Sequence, residues 1–173
     1  MPTKTFAHLS DDKKQRINRS LLTEFSQHSL ATAQVSRIVK NAGIARGAFY
    51  KYFADLSDAY RYLYHQVMAK LHQPIDLQAH QPADHYLQML QTFLEDVDHY
   101  QYRNLVKLHL QTNAALLARQ GSESVSAAHL TTSQWMVMVL VHQTLIDCLN
   151  EPDQRHRLLS RLKKALTLAL KEG

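Results

Sequence analysis

The sequence predicts an all-α protein, and three observations carry that prediction. Only four Gly and four Pro punctuate 173 residues, so few positions interrupt a helix. Runs of Val, Ile and Thr alternating at period two are absent, whereas apolar residues recur three and four apart over most of the chain. With 45% hydrophobic residues, the chain can bury a core, either as one compact unit or as a small head on a larger body.

Residues 1–9 read as a flexible basic arm with Lys4. A first helix is expected over 10–27. Ser10 offers a capping oxygen, Asp11 and Asp12 place anions near the positive end of the helix dipole, and Ile17, Leu21, Leu22 and Phe25 form one stripe. Thr32 is the expected cap of a second helix whose inner side is Val35, Ile38, Val39 and Ala42. Gly43 then permits the positive φ that ends a helix sharply, and Ile44 tucks back behind the turn. A third helix starts at Ala45 or Arg46. Phe49 and Phe53, one turn apart, face inward with Ala45 and Tyr52 near the edge, while Arg46, Gly47, Tyr50 and Lys51 gather outside. Asp55 and Asp58, spaced like a capping box, open a fourth helix through Tyr60, Leu63, Tyr64, Val67 and Leu71.

The stretch 72–82, with Pro74 and Pro82 among polar residues, marks the clearest boundary. Tyr86, Leu87, Leu90, Phe93, Leu94 and Val97 then form the stripe of an amphipathic helix. Another helix is expected over 102–120, with Leu105, Leu108, Leu116 and Leu117 apolar, and the GSES stretch at Gly121 is a loop. Residues 132–149, containing WMVMVLV, are apolar on all sides and need cover all round. Glu151 and Pro152 end that helix and admit a last one, striped by Leu158, Leu159, Leu162, Leu166, Ala169 and Leu170.

Charge is unevenly placed. Residues 1–70 hold eleven Lys and Arg against five Asp and Glu, net +6, and residues 71–173 hold nine against ten, net −1. A polyanion is the natural partner of the basic part, since each cation set on a phosphate releases condensed counterions; charge alone is equally explained by a solvated helical surface. The outer face of the third helix is more specific. Gly47 and Ala48 remove bulk where a helix would approach bases, Arg46 can reach a base edge or phosphate, and Tyr50 and Lys51 can hold flanking phosphates. Taken one at a time these are solvated charges and half-buried aromatics; the spacing, the turn and the charge together point to double-stranded DNA.

Val35, Ile38 and then AGIARGAFYKYF over 42–53 resemble the TetR-type helix-turn-helix, whose usual pattern is close to AGVSKGTLYxYF followed by a helix starting SKEEL. The resemblance runs from about Ile17 to Tyr60. It implies a DNA-binding head at 1–56, with the helix-turn-helix at 32–53, and a ligand-binding and dimerisation body at 57–173. It also implies a cytoplasmic homodimeric repressor, released from a palindromic operator by a small-molecule effector. The last two helices would form half of an intersubunit four-helix bundle, a large monomer core being the alternative. Ala45 stands where the family usually has a capping Ser, Ala48 where Thr is frequent, Leu56 where Lys often meets a phosphate, and Ala33 and Gln34 replace a Thr-Thr pair. Gln34 and Arg37 on the outer side of the second helix can restore contacts, and Thr32, shifted by one, can supply the cap. The lost polar groups keep a second reading open: a TetR-like coregulator acting through protein–protein contact with weak or no DNA binding. By the same resemblance an effector pocket draws on Tyr64, Tyr86, Phe93, His109, Trp135 and His142, which are equally residues a plain core would use.

Other chemistries find little footing. None of the eleven His pairs with another at i, i+3 or i, i+4, so no metal site is expected. Cys148 near His142 and Asp147 lacks any oxyanion-hole or glycine-rich element, and no phosphate-binding glycine loop occurs, so neither an enzyme nor a cofactor is expected. The single Cys forms no intrachain disulfide, the start MPTKTFAH lacks a signal-like apolar segment, and the apolar run 135–141 falls short of the roughly 20 residues of a membrane helix.

Overall fold

A computed structural model describes residues 2–71, 81–120 and 129–170; the expected boundary from His72 and the expected loop at Gly121 lie largely or wholly outside them. Among the described residues every regular element is helical. In chain order these are α1 (Lys4–Ala7), α2 (Asp11–Gln27), α3 (Val35–Ala42), α4 (Arg46–Tyr52), α5 (Leu56–Lys70), α6 (Ala83–His99), α7 (Arg103–Leu108), a π-helical turn (His109–Asn113), α8 (Ala114–Ala118), α9 (Thr132–Asn150), a 3-10 turn (Pro152–Gln154) and α10 (Arg155–Ala169). The chain forms two compact units, Met1–Lys70 with Tyr102–Ser122, and Leu71–Gln101 with Glu123–Gly173.

In the first unit, Ile17, Leu21, Phe25, Ile38, Phe49, Phe53 and Tyr60 are fully buried. The apolar stripe of α2 is the expected one with a change: Leu22 is half-buried, and Glu24 lies on the buried side instead. Ser10 occupies the N-cap position of α2 without a side-chain cap bond. Residues 1–9 differ from the flexible arm expected. Thr3 caps α1, and Phe6, 3% exposed, packs against Tyr52, Phe53 and Tyr62 with ring centroids 5.9, 5.1 and 5.1 Å away. The reason is that burying one large aromatic contributes about 2 kcal/mol, enough to hold a single turn that has no stability of its own.

The helix expected over 102–120 is present but carries the π turn at His109–Asn113. Asn113 is fully buried there, and its Oδ1 accepts the Leu30 N–H at 2.9 Å in the loop between α2 and α3. That part-buried N–H has its partner in a side chain from the π turn rather than in its own loop.

The second unit packs α6, α9 and α10. The stripes of α6 and α10 bury Tyr86, Leu87, Leu90, Leu94, Val97, Leu158, Leu159, Leu162 and Leu166. Thr131 and Gln134 form a capping box at the start of α9, and Val137, Val141, Thr144, Cys148 and Leu149 are its buried residues. Arg155–Asp98 (2.7 Å), Lys163–Asp84 (2.8 Å) and Arg161–Asp147 (2.5 Å) tie the helices at the rim. Among the described residues α9 is not covered all round: Trp135 is 49% and Val139 41% exposed, and Leu168 on α10 is 69% exposed.

Candidate nucleic-acid interface

Helix α3 ends at Gly43, which adopts φ 63° and ψ 43°; its N–H reaches Lys40 O, and the Ile44 N–H reaches Val39 O at 3.1 Å. Open space surrounds the Gly43 Cα, so the glycine is required by this left-handed backbone and not by crowding. Two residues later Ala45 caps α4 in extended conformation with no side-chain bond. Phe49 and Tyr52 turn inward from α4, followed by Phe53 at its C-cap, with Phe49 and Phe53 in ring contact at 5.5 Å.

The remaining face of α4 is open. Arg46, Gly47, Tyr50 and Lys51 are exposed and Ala48 is half-buried. The Arg46 guanidinium lies over the Tyr50 ring, 5.9 Å from its centroid, and Phe49 meets the same ring edge-on at 5.3 Å. This cation–π pair one helical turn apart orients both groups outward together. A Cβ at Gly47 would meet nothing within 4 Å, so its value lies in the flat surface it leaves to an approaching partner. Arg46, Gly47, Ala48, Tyr50 and Lys51 are thus brought together as one small, cationic, solvent-facing patch.

The second helix behaves differently. Arg37 is tied inward to Glu24, a carboxylate only 2% exposed on α2. Arg37 Nε donates to Glu24 Oε2 at 2.8 Å and Nη2 to Oε1 at 2.6 Å, and Nη2 also reaches Thr32 O at 2.9 Å. The Gln34 N–H donates to Glu24 Oε1 at 2.7 Å. Burial alone would raise the Glu24 carboxyl, but the Arg37 and Gln34 hydrogen bonds and the Arg37 charge outweigh it and hold the group below its ordinary value.

Gln34, not Thr32, is the N-cap residue of α3, and it makes no side-chain cap bond. Thr32 turns back to Ser29 O at 3.3 Å. A carboxylate reaching from α2 to the N-cap N–H thereby does part of the work a capping side chain normally does. The sequence signal for Glu24 was its place seven residues after Ile17 and one before Phe25, inside the apolar stripe. Asp55 and Asp58 cap α5 as expected in kind, with the Asp58 N–H on Asp55 Oδ1 at 2.7 Å, while Asp58 Oδ2 accepts from the Ala54 N–H at 3.1 Å.

Of the residues expected to line an effector pocket, Tyr64 and His109 meet directly, stacked with centroids 3.8 Å apart in the first unit. His109 Nδ1 also lies 3.0 Å from the Tyr60 hydroxyl, and burial pushes both tyrosine hydroxyls upward, keeping them neutral. In the second unit Tyr86 is buried, Phe93 is half-buried, and Trp135 and His142 are exposed on α9. Among the described residues no three His, Cys, Asp or Glu gather as metal ligands, and no helix is long and apolar enough to cross a membrane.

A short helix ending in a left-handed glycine, followed by a second short helix with an open cationic face, defines a helix-turn-helix protein. Its remaining elements are helical too. Residues 20–55 match the family model described as bacterial regulatory proteins, tetR family. Over those residues, which hold the glycine turn and α4, the chain is similar to that family's model. No curated protein matches it in sequence. Among solved structures it is similar to a TetR family transcriptional regulator from Chloroflexus aurantiacus J-10-FL, at 19% identity and TM-score 0.59, covering 99% of this chain and 98% of that one. It is also similar to a TetR transcriptional regulator from Rhodococcus sp. RHA1, at 18% identity and TM-score 0.50, covering 93% and 98%. A third is the transcriptional regulator FadR from Bacillus subtilis in complex with stearoyl-CoA, at 16% identity and TM-score 0.55, covering 91% and 97%. At these identities the likeness is one of fold, and it extends along the whole chain.

Proposed function

We propose that the protein is a homodimeric DNA-binding repressor whose operator contact is the outer face of α4, Arg46 to Lys51, and whose release is governed by a small molecule. The observation that carries this reading is the single patch in which Arg46, Tyr50 and Lys51 face solvent around Gly47. Arg46 is suited to a base edge and Tyr50 and Lys51 to phosphates. Thr32, Gln34, Ala45 and Ala48 border the groove. Arg37 serves the frame by holding α3 to α2 through Glu24.

Two considerations support dimerisation. Trp135 and Val139 on α9 and Leu168 on α10 are large apolar side chains exposed among the described residues. A twofold pair of α4 helices also fits successive major-groove faces about 34 Å apart. The effector reading draws on Tyr64 and His109, which stack in the first unit, and the FadR complex is a reason to place stearoyl-CoA in the first screen.

Selection of bound fragments from random duplex DNA tests the reading: a palindromic consensus is expected. Lys51→Ala and Tyr50→Ala are each expected to weaken binding about tenfold, and the lysine variant also to lower the salt dependence. Failure of the purified dimer to bind any duplex at low salt overturns the reading. Capture of a partner protein without DNA binding would then favour a coregulator, a role the uncapped Ala45 makes physically reasonable.

A further inference from the structure

We infer that the N-terminal segment is a built part of the DNA-contact surface, with Thr3 fastening the C-terminal end of α4 and Lys4 adding a phosphate contact beside Lys51. This inference rests on the DNA-binding reading above.

Helix α4 has only seven residues and no side-chain cap at its entry, so little within the helix fixes its pitch against a groove. Its last carbonyls have no intrahelical donors. Thr3 meets that need from 48 residues away: its Oγ1 donates to Lys51 O at 2.6 Å and its N–H donates to Tyr52 O at 3.0 Å. One turn further on, Phe6 is buried among Tyr52, Phe53 and Tyr62, which keeps Thr3 in place.

Lys4 follows Thr3 directly and is exposed, as is Lys51, and on α2 the Lys13 ammonium lies 5.9 Å from the Tyr52 ring centroid. The bond from Thr3 thus sets Lys4 beside the C-terminal end of α4, which carries Lys51, and Lys13 reaches the same helix at Tyr52. None of them forms an ion pair among the described residues. Cations without a carboxylate partner on an exposed surface suit a phosphate backbone.

The test measures binding of the full chain to a mixed-sequence duplex by fluorescence anisotropy, between about 50 and 200 mM salt. Lys4→Ala is expected to reduce the slope of log K against log salt by about 0.9 per protomer. Thr3→Val is expected to weaken binding about three- to tenfold with the slope unchanged, and Thr3→Ser to restore it. Both positions are exposed, and circular dichroism establishes that each variant keeps its helices. A wild-type slope in Lys4→Ala, or wild-type affinity in Thr3→Val, overturns the inference while leaving the DNA-binding reading standing. Wild-type protein that binds no duplex overturns both, and does so before any variant is made.

Discussion

Replacing Glu24 with Gln removes a buried charge while keeping the side chain's shape. In the native head the carboxylate, 2% exposed, accepts Arg37 Nε and Nη2 and the Gln34 N–H within 2.6–2.8 Å. A glutamine can still accept one of these donors, but its own NH2 group then faces a guanidinium that only donates. Breaking a buried pair costs about 3–5 kcal/mol when the surviving charge is trapped. Here the Arg37 side chain is 35% exposed and can turn to water, which brings the expected loss to about 2–3 kcal/mol. For a chain of this size that lowers Tm by about 5–10 °C.

The loss should also depend on pH. The folded carboxyl is held below its ordinary 4.5, so on acidification the unfolded chain takes up the proton first. The stabilisation is complete above about pH 5.5 and is lost as pH falls through the lowered folded value. Thermal unfolding of wild type and Glu24→Gln, followed by circular dichroism at a series of pH values, should show a gap at pH 7 that narrows at acid pH. A gap that is absent, or that is the same at both ends of the series, refutes the clamp.

Ala45→Ser restores an N-cap oxygen at a residue already in extended conformation; it is expected to stabilise the protein by about 0.5–1 kcal/mol and to tighten duplex binding, read by melting and anisotropy. Trp135→Ser makes the exposed side of α9 polar; sedimentation velocity should show a shift from dimer to monomer, and an unchanged species would count against that face as the subunit contact.

Much of the head could be read along the chain because it is built from local rules. The positive φ at Gly43, the inward pair Phe49 and Phe53, and the outer set Arg46, Tyr50 and Lys51 all follow from helical spacing and one glycine. Glu24 was obscured because a carboxylate inside an apolar stripe becomes reasonable only once a cation from another helix reaches it. The N-terminal segment carries no sequence sign of its order because four residues have no helical signal of their own, and only contact with Tyr52, Phe53 and Tyr62 gives Phe6 a place to be buried.

The helical class, the helix-turn-helix with its glycine turn, and the outward residues of α4 are legible along the chain, since periodicity and backbone preference act within a few residues. Tertiary packing set the pairing of Arg37 with Glu24, the bond from Thr3 to the end of α4, and the hold of Asn113 on the loop N–H of Leu30. Each of these joins groups far apart in the chain, and the energy that selects them exists only after the elements have packed and excluded water.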